Sequence, residues 1–182
     1  MAAFATPTEL AGFLQQDLDT YSATQALDVA SKAIRDHCGW EITQQTSAVA
    51  TLDGVWDDTA LWLPSLLVTA VASVVEDGTT LTVVSQFDWT AYGKLIRVGR
   101  CWTTKPRSVV VTYTHGYTTA PDSIKGVCLA AAGRRYRNPE SRRSYTVGAV
   151  SESFSIPATG SVGFFYDTEL ADLGPYRLAV VA

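Results

Sequence analysis

The spacing of apolar residues changes from a helical to a strand period close to Trp40. Before that point, residues 6–9 read Thr-Pro-Thr-Glu, a capping box with a proline in the first turn of a helix. The apolar stripe of this helix is Leu10, Phe13, Leu14 and Leu18. A second capping-box pattern at 22–25 begins another stripe, which Gly39 ends. The short connection at 19–21 predicts that the two helices pack as a hairpin.

Residues 40–118 are rich in Thr, Val, Trp and Tyr, a composition typical of strands. Asp77-Gly78 tolerates the positive φ of a tight turn, so a hairpin is predicted around it, with strands at 71–75 and 79–84. The clearest strand is 108–115, in which Val109, Val111, Tyr113 and His115 share one face. Further β structure is predicted at 40–63 and 94–98.

Helical signals return at Pro121, and Asn138-Pro139 ends this third helix. An extended stretch is predicted at 145–156 and a short helix at 167–173. The pattern predicts the α+β class, with all 182 residues in one domain. Its parts are a helical core (the N-terminal helix hairpin and a third helix at about 121–137), a β-rich insert at about 40–118 and an extended C-terminal arm at about 144–182.

Charge is distributed unevenly along the sequence. Residues 1–99 contain twelve acidic and four basic residues, whereas 100–143 contain nine basic and two acidic ones. The formal net charge of −4 argues against nucleic-acid binding by the whole chain, because such domains are usually basic.

The motifs of common catalytic and nucleotide-binding sites do not occur in the sequence. The only two histidines, His37 and His115, are interpreted as structural residues at a helix end and a strand end. Asp57, Asp58 and His115 are the one conceivable polar site, which keeps a small hydrolase or ligand-binding domain open as an alternative. Otherwise the chain is expected to be no enzyme and to have no catalytic residue, no metal and no cofactor.

Cysteine usage and hydropathy predict the compartment. Cys38, Cys101 and Cys128 are widely spaced and odd in number, so free thiols in a reducing cytoplasm are expected. The most apolar run, 66–75, is about ten residues long, whereas a membrane-spanning helix needs about 20. The first residues lack the pattern of a signal peptide, and no membrane association is expected.

Two clusters are candidate contact surfaces. Five arginines lie within ten residues, and they are interpreted either as a solvated helix end, as ion-pairing partners of an acidic protein surface or as phosphate contacts: Arg134, Arg135, Arg137, Arg142 and Arg143. Three aromatic residues follow Gly163, and they predict either a flap over the core or an anchor in the pocket of a partner: Phe164, Phe165 and Tyr166.

Residues 108–154 resemble the head-to-tail connector (adaptor) proteins of long-tailed double-stranded DNA bacteriophages. The features that carry the resemblance are, in order, Tyr113-Thr114-His115-Gly116-Tyr117 at a strand end, Pro121-Asp122-Ser123-Ile124 opening an Ala-rich helix, Asn138-Pro139 after it, and Val147-Gly148 before a serine-rich strand. The N-terminal helices and the segment 167–176 also fit, so the resemblance covers most of the chain and is weakest at 40–106.

The resemblance implies a structural protein of the virion neck. Connectors of this kind form a ring below the portal, commonly of twelve subunits, that joins capsid to tail and extends the DNA exit channel. In such a ring, the separation of charge along the sequence is expected to provide oppositely charged docking surfaces. The implied partners are the portal protein, neighbouring copies of the chain and a downstream neck or tail completion protein. DNA passes without specific binding, and assembly takes place in the host cytoplasm. The alternative from the residues alone is a nucleic-acid-binding module that uses the arginines of 134–143.

Overall fold

The structure, a computed structural model, describes residues 2–139, 144–147, 150–153 and 164–178. The chain divides into two compact units. One, here called the helical unit, comprises the described residues of Met1–Gly39 and Ala120–Arg177, and the other, the β unit, comprises Trp40–Thr119 and the described part of Leu178–Ala182. The predicted α+β class is confirmed. The assignment of all 182 residues to one domain stays a prediction.

Helix α1 (Pro7–Leu14) begins as the sequence predicts. The Glu9 N–H donates to Thr6 Oγ1 at 3.2 Å, and the Thr6 N–H donates to Glu9 Oε2 at 2.8 Å, which completes the capping box. The prediction that the apolar stripe continues to Leu18 is wrong, because α1 ends at Leu14 and Gln15 adopts a left-handed conformation. Leu10 is fully buried, whereas the Phe13 side chain is 53% exposed.

Helix α2 (Thr20–Cys38) begins earlier than the capping-box pattern at 22–25 predicts. Asp19 is the N-cap, and its carboxylate accepts a hydrogen bond from the Ser22 N–H at 2.8 Å. A short polar side chain one turn upstream satisfies the same free N–H groups, so the pattern at 22–25 is not needed as a cap. The predicted stop at Gly39 is confirmed, with φ of 78°. Helix α1 contacts α2 as expected for a hairpin.

The β unit contains seven strands in two antiparallel sheets. They are β1 (Gln45–Leu52), β2 (Ala60–Trp62), β3 (Val68–Glu76), β4 (Thr79–Thr80), β5 (Phe87–Trp89), β6 (Lys94–Arg97) and β7 (Val109–His115). One sheet has the order β1-β7-β3-β4 and the other the order β2-β6-β5. The predicted strand at 108–115 is therefore the central strand of the larger sheet, and its predicted face is buried: Val109, Val111, Tyr113 and His115.

The predicted hairpin at Asp77-Gly78 is also confirmed, with φ of 49° and 79° at these residues. Its second strand, β4, is shorter than predicted, because the chain turns into the core at Leu81, which is 6% exposed. The core of the β unit includes buried side chains from both sheets, among them Val74, Phe87, Leu95, Trp102 and Val111.

The helical unit continues with α3 (Asp122–Arg137), β8 (Ser144–Val147), β9 (Val150–Ser153), α4 (Asp167–Leu173) and a short 3₁₀ helix (Gly174–Tyr176). Helix α3 is the main packing partner of α2. The predicted helices at 121–137 and 167–173 are confirmed. The predicted extended stretch at 145–156 is confirmed in its described part, which forms the strands β8 and β9, and these fold back on each other as an antiparallel hairpin. No helix within the described ranges is long and apolar enough to cross a membrane.

Candidate functional site

The arginine cluster begins in the last turn of α3, whose sequence is Ala-rich after Cys128. The buried face of α3 is the predicted one: Ile124, Val127, Cys128 and Ala131. The basic residues follow this face, at the C-terminal end of the helix. Three of the five arginines, Arg134, Arg135 and Arg137, lie in this turn. Arg142 and Arg143 lie outside the described residues.

Arg134 is tied into the helical unit by several contacts. Its Nη1 and Nη2 atoms donate to Glu169 Oε1 and Oε2 of α4 at 2.5 and 2.7 Å. Nη2 also donates to the Phe164 carbonyl oxygen at 3.2 Å, and the guanidinium lies 4.5 Å from the Tyr166 ring centroid. This bidentate geometry makes the pair strong and specific. Arg134 therefore holds α4 and the aromatic segment against α3.

The aromatic segment 164–166 is divided between core and surface. Phe165 is fully buried, with its ring centroid 6.4 Å from that of His37 and 5.1 Å from that of Phe164. It thus takes the core position, one of the two roles that the sequence leaves open. Burial, together with the charge of Arg177, lowers the pKa of His37.

Phe164 and Tyr166 are half-buried. The Tyr166 N–H donates to Glu169 Oε2 at 2.9 Å, so the carboxylate that binds Arg134 also caps α4. One acidic side chain, which no sequence motif singles out, thus organises the end of α3, the start of α4 and the aromatic segment between them.

Arg135 and Arg137 differ from Arg134 because both are exposed and form no ion pair with another described residue. Between them, the Tyr136 hydroxyl accepts a hydrogen bond from the Asp19 N–H at 3.0 Å, which fixes this turn against the start of α2. The described part of the arginine cluster therefore contains one structural arginine and two solvent-facing ones.

The uneven charge along the sequence is largely compensated by pairing within each unit. Four of the seven described basic residues of 100–143 form ion pairs with acids elsewhere in the chain: Arg100 with Glu76, Lys105 with Asp77, Lys125 with Glu9, and Arg134 with Glu169. The Lys125 ammonium and hydrogen bonds from Thr6 lower the pKa of Glu9 to about 2. Folding thus brings these opposite charges together within the chain, and the docking surfaces stay a prediction that depends on the remaining charges.

The β unit contains a buried ion-pair network that the sequence analysis does not predict. Glu76 at the end of β3 accepts hydrogen bonds from Arg97 Nε at 3.1 Å, Arg100 Nη2 at 2.8 Å and the Thr103 N–H at 2.9 Å. Glu76 and Arg97 are each only 4% exposed. The network joins one sheet to the other. The sequence does carry one signal for this network. Arg97 lies two residues after the buried Leu95, so both side chains are on the same face of β6.

The alternative polar site is not assembled as a metal centre. Among the described residues there is no group of three or more His, Cys, Asp and Glu side chains that could hold a metal ion. Asp58 Oδ1 accepts from the Ala60 N–H at 2.9 Å, and the Cys101 thiol donates to Asp57 Oδ1 at 3.6 Å. His115 is buried, which lowers its pKa, and its ring stacks on Tyr113 with 5.0 Å between centroids.

The β unit also exposes several large apolar side chains. Trp62 on β2 lies directly opposite Lys94 on β6. The Lys94 ammonium is 5.7 Å from the centroid of the Trp62 ring. The most exposed members of this set are Val49, Trp56, Val84 and Tyr92. Exposed aromatic residues are typical of protein interfaces, so the β unit offers contact surface that the sequence does not single out.

A scan against models of known protein families gives no match, and no curated protein matches the sequence. The fold is similar to that of a chain in the virion of the native gene transfer agent (GTA) particle, with a TM-score of 0.65 and 15% identity over 100% of this chain and 95% of that one. It is also similar to a chain in the neck of the native GTA particle computed with C12 symmetry, with a TM-score of 0.60, 16% identity and the same coverage.

A chain in the neck of the empty GTA particle, computed with C6 symmetry, gives a TM-score of 0.58 at 16% identity, again over 100% of this chain and 95% of that one. These similarities establish the fold, which is that of a protein in the neck of a phage-like particle. The resemblance noted in the sequence is confirmed at this level.

Proposed function

We propose that the chain is a structural subunit of a virion neck, forming a ring below the portal that joins capsid to tail and extends the DNA exit channel. The proposal rests on one observation: the whole chain matches almost the whole length of chains in GTA necks computed with C12 and C6 symmetry.

In such a ring each subunit uses two different surfaces, one to contact the preceding copy and one to contact the next. The proposed number of copies is twelve, in keeping with the C12 symmetry of one neck to which the fold is similar. The proposed partners are the portal protein and a downstream neck or tail completion protein, with DNA passing through the channel. The chain has no catalytic role in this proposal, and assembly precedes incorporation into the virion.

The solvent-facing arginines give this role a candidate contact. Arg135 and Arg137 project from the end of α3 without an ion pair to any residue of the described ranges. We assign them, together with Arg142 and Arg143 of the same cluster, to an acidic surface of the portal or of the adjacent subunit. Arg134 and Phe165 support this surface from inside, and Phe164 and Tyr166 lie at its edge.

Negative-stain electron microscopy of the purified protein, alone and mixed with the portal protein of the same particle, tests the proposal. We expect ring-shaped particles in at least one of the two samples, and an added layer on the portal in the mixture. Monomers in both samples, at concentrations where the portal itself is an intact ring, would contradict the ring.

A further inference from the structure

Strand β1 forms an open edge of the larger sheet. Among the described strands it pairs only with β7, and over Ala48–Leu52 this pairing is regular. Its sequence, Gln-Thr-Ser-Ala-Val-Ala-Thr-Leu, contains no charge and no proline. Natural sheets usually protect an edge strand with charged residues or proline, or they keep that strand short. The opposite edge, β4, is only two residues long, whereas β1 has eight.

The side chains of β1 keep this edge accessible. Val49 is 65% exposed, and Ala50, on the other face, is buried in the core. A bulge at Ser47, with φ of 55°, interrupts the pairing only near the beginning of the strand. Alternate residues over Ala48–Leu52 therefore direct their backbone groups away from β7, and no described strand pairs with them.

The β8–β9 hairpin has the complementary property. Its four residue pairs run from Ser144 with Ser153 to Val147 with Val150, and within the described ranges neither strand pairs with any other. A two-stranded hairpin is only marginally stable in water, and a third strand or a packing partner stabilises it. Within the described residues, the chain thus contains a sheet edge without a partner strand and a hairpin that belongs to no larger sheet.

We propose that the β8–β9 hairpin of one copy adds to the β1 edge of the next copy, so that the larger sheet continues across the subunit boundary. This inference rests on the proposed ring and names one of its contacts. Donor and acceptor are different surfaces of the same chain, which is the head-to-tail arrangement that a ring requires. The backbone groups supply the affinity, as in other cases of strand addition.

Composition indicates that β8 is the strand next to β1. Tyr145, Thr146 and Val147 favour an inner strand, whereas β9 carries Glu152, the one charged residue in the described hairpin, and suits the outer position. Because β1 is uncharged, the pairing creates no repulsion between like charges.

Chemical cross-linking tests the contact. The full-length protein carries Cys101→Ser, which removes the exposed thiol, together with Val49→Cys in β1 and Thr146→Cys in β8; Cys38 and Cys128 are buried. A short bis-maleimide joins nearby cysteines. Labelling with a monofunctional maleimide under denaturing conditions then counts the thiols that remain free, which shows how many the cross-linker consumed. We expect a ladder of dimers and higher oligomers from the double-cysteine protein and monomers from each single-cysteine variant.

A ladder supports the inference. Dimers from Val49→Cys alone would instead show a symmetric β1–β1 contact, and a link within one chain would show that the hairpin adds to its own β1; either result overturns the inference. Rings in the microscope without the ladder would overturn it while leaving the proposed function intact. A ladder without rings on the portal would support the contact and contradict the function. Monomers without cross-links would contradict both.

A charge variant provides an independent measurement. Val49→Lys places a positive charge on the edge strand and should lower the yield of assembled oligomers about tenfold, because an edge lysine blocks strand addition. The matched control is Val29→Lys, which places the same charge on an exposed valine (38% against 65%) of helix α2, outside the β unit. Equal assembly of the two variants, both folded by circular dichroism, would overturn the inference.

Discussion

Arg134 of α3 and Glu169 of α4 form a bidentate ion pair, although 34 residues separate them in the sequence. Glu169 is 9% exposed and also accepts a hydrogen bond from the Tyr166 N–H. The pair converts a basic residue of the predicted contact cluster into a fixed element of the helical unit. Arg134 is therefore already paired within the helical unit, and the contact surface proposed at the end of α3 depends on the other arginines of the cluster.

We predict that Glu169→Ala lowers the free energy of unfolding by about 2 kcal/mol, somewhat less than for a completely buried pair, because the Arg134 side chain is 27% exposed. Urea denaturation followed by circular dichroism measures this change. Arg135→Ala is the matched control on the same turn, and we expect a change within about 0.5 kcal/mol because its side chain is exposed and unpaired among the described residues. Equal losses in the two variants would contradict the assignment.

The buried pair of Glu76 and Arg97 yields a larger predicted effect. Glu76→Leu leaves the Arg97 guanidinium buried without its carboxylate, and we expect a loss of about 3–5 kcal/mol in stability. The double variant Glu76→Leu/Arg97→Met removes both charges and should recover at least about 1 kcal/mol of that loss. Urea denaturation of the wild type, the two single variants Glu76→Leu and Arg97→Met and the double variant gives the coupling free energy. A double variant less stable than Glu76→Leu would show that the pair is not the main interaction of either residue.

The pair of Glu9 and Lys125 predicts a pH dependence. The pKa of Glu9 in the folded protein is about 2, below its ordinary value of 4.5, chiefly because of its hydrogen bond from Lys125. A depressed carboxyl pKa stabilises the fold above the unfolded pKa, and this stabilisation is lost as the pH falls from about 4.5 towards 2.

Lys125→Met should therefore raise the pKa of Glu9 towards 4.5, which NMR titration of its side-chain carboxyl carbon measures directly. The hydrogen bonds from Thr6 remain in this variant, so the value should stay below the ordinary one. Lys32→Met, which removes an exposed pair on α2, serves as the control and should leave Glu9 unchanged. An unshifted Glu9 in the Lys125 variant would contradict the assigned cause.

Docking should depend on the arginines of the cluster other than Arg134 and not on DNA affinity. We predict that replacing Arg135, Arg137, Arg142 and Arg143 by Ser abolishes binding to the portal while the monomer stays folded. Arg134 is kept, because its loss would weaken the helical unit itself. Pull-down on immobilised portal rings and circular dichroism give the two measurements, and undiminished binding would contradict the assigned contact.

The same variant separates the neck role from the alternative of a nucleic-acid-binding module. A module that uses these arginines would bind double-stranded DNA with an affinity that falls steeply between low and physiological salt. We expect weak binding with a shallow salt dependence in fluorescence anisotropy, and little difference between the wild type and the variant. A steep dependence that disappears in the variant would favour the alternative.

Local signals in the sequence account for most of the elements. The capping box at Thr6 and Glu9, the stop at Gly39 and the alternation around Val111 each act over a few residues, so their consequences are readable without a fold. The start of α2 is misplaced because Asp19 and Ser22 are both good caps one turn apart, and only packing selects between them.

The candidate site depends on contacts between distant residues, which local patterns do not encode. Glu76 reads as part of a turn beside Asp77-Gly78, although its side chain is buried against Arg97. Arg134 and Arg135 are neighbours of the same type, yet one is paired and the other faces solvent. Three-dimensional placement, not residue type, decides which charges remain for a partner.

The stoichiometry of the complex with the portal tests the central proposal most directly. Native mass spectrometry of portal rings saturated with this chain measures the number of bound copies. The neck-ring role predicts one dominant species with a complete ring of copies, twelve in the proposed assembly, and no accumulation of partly filled rings. A broad distribution of one or a few copies per portal, or no binding at all, would contradict it.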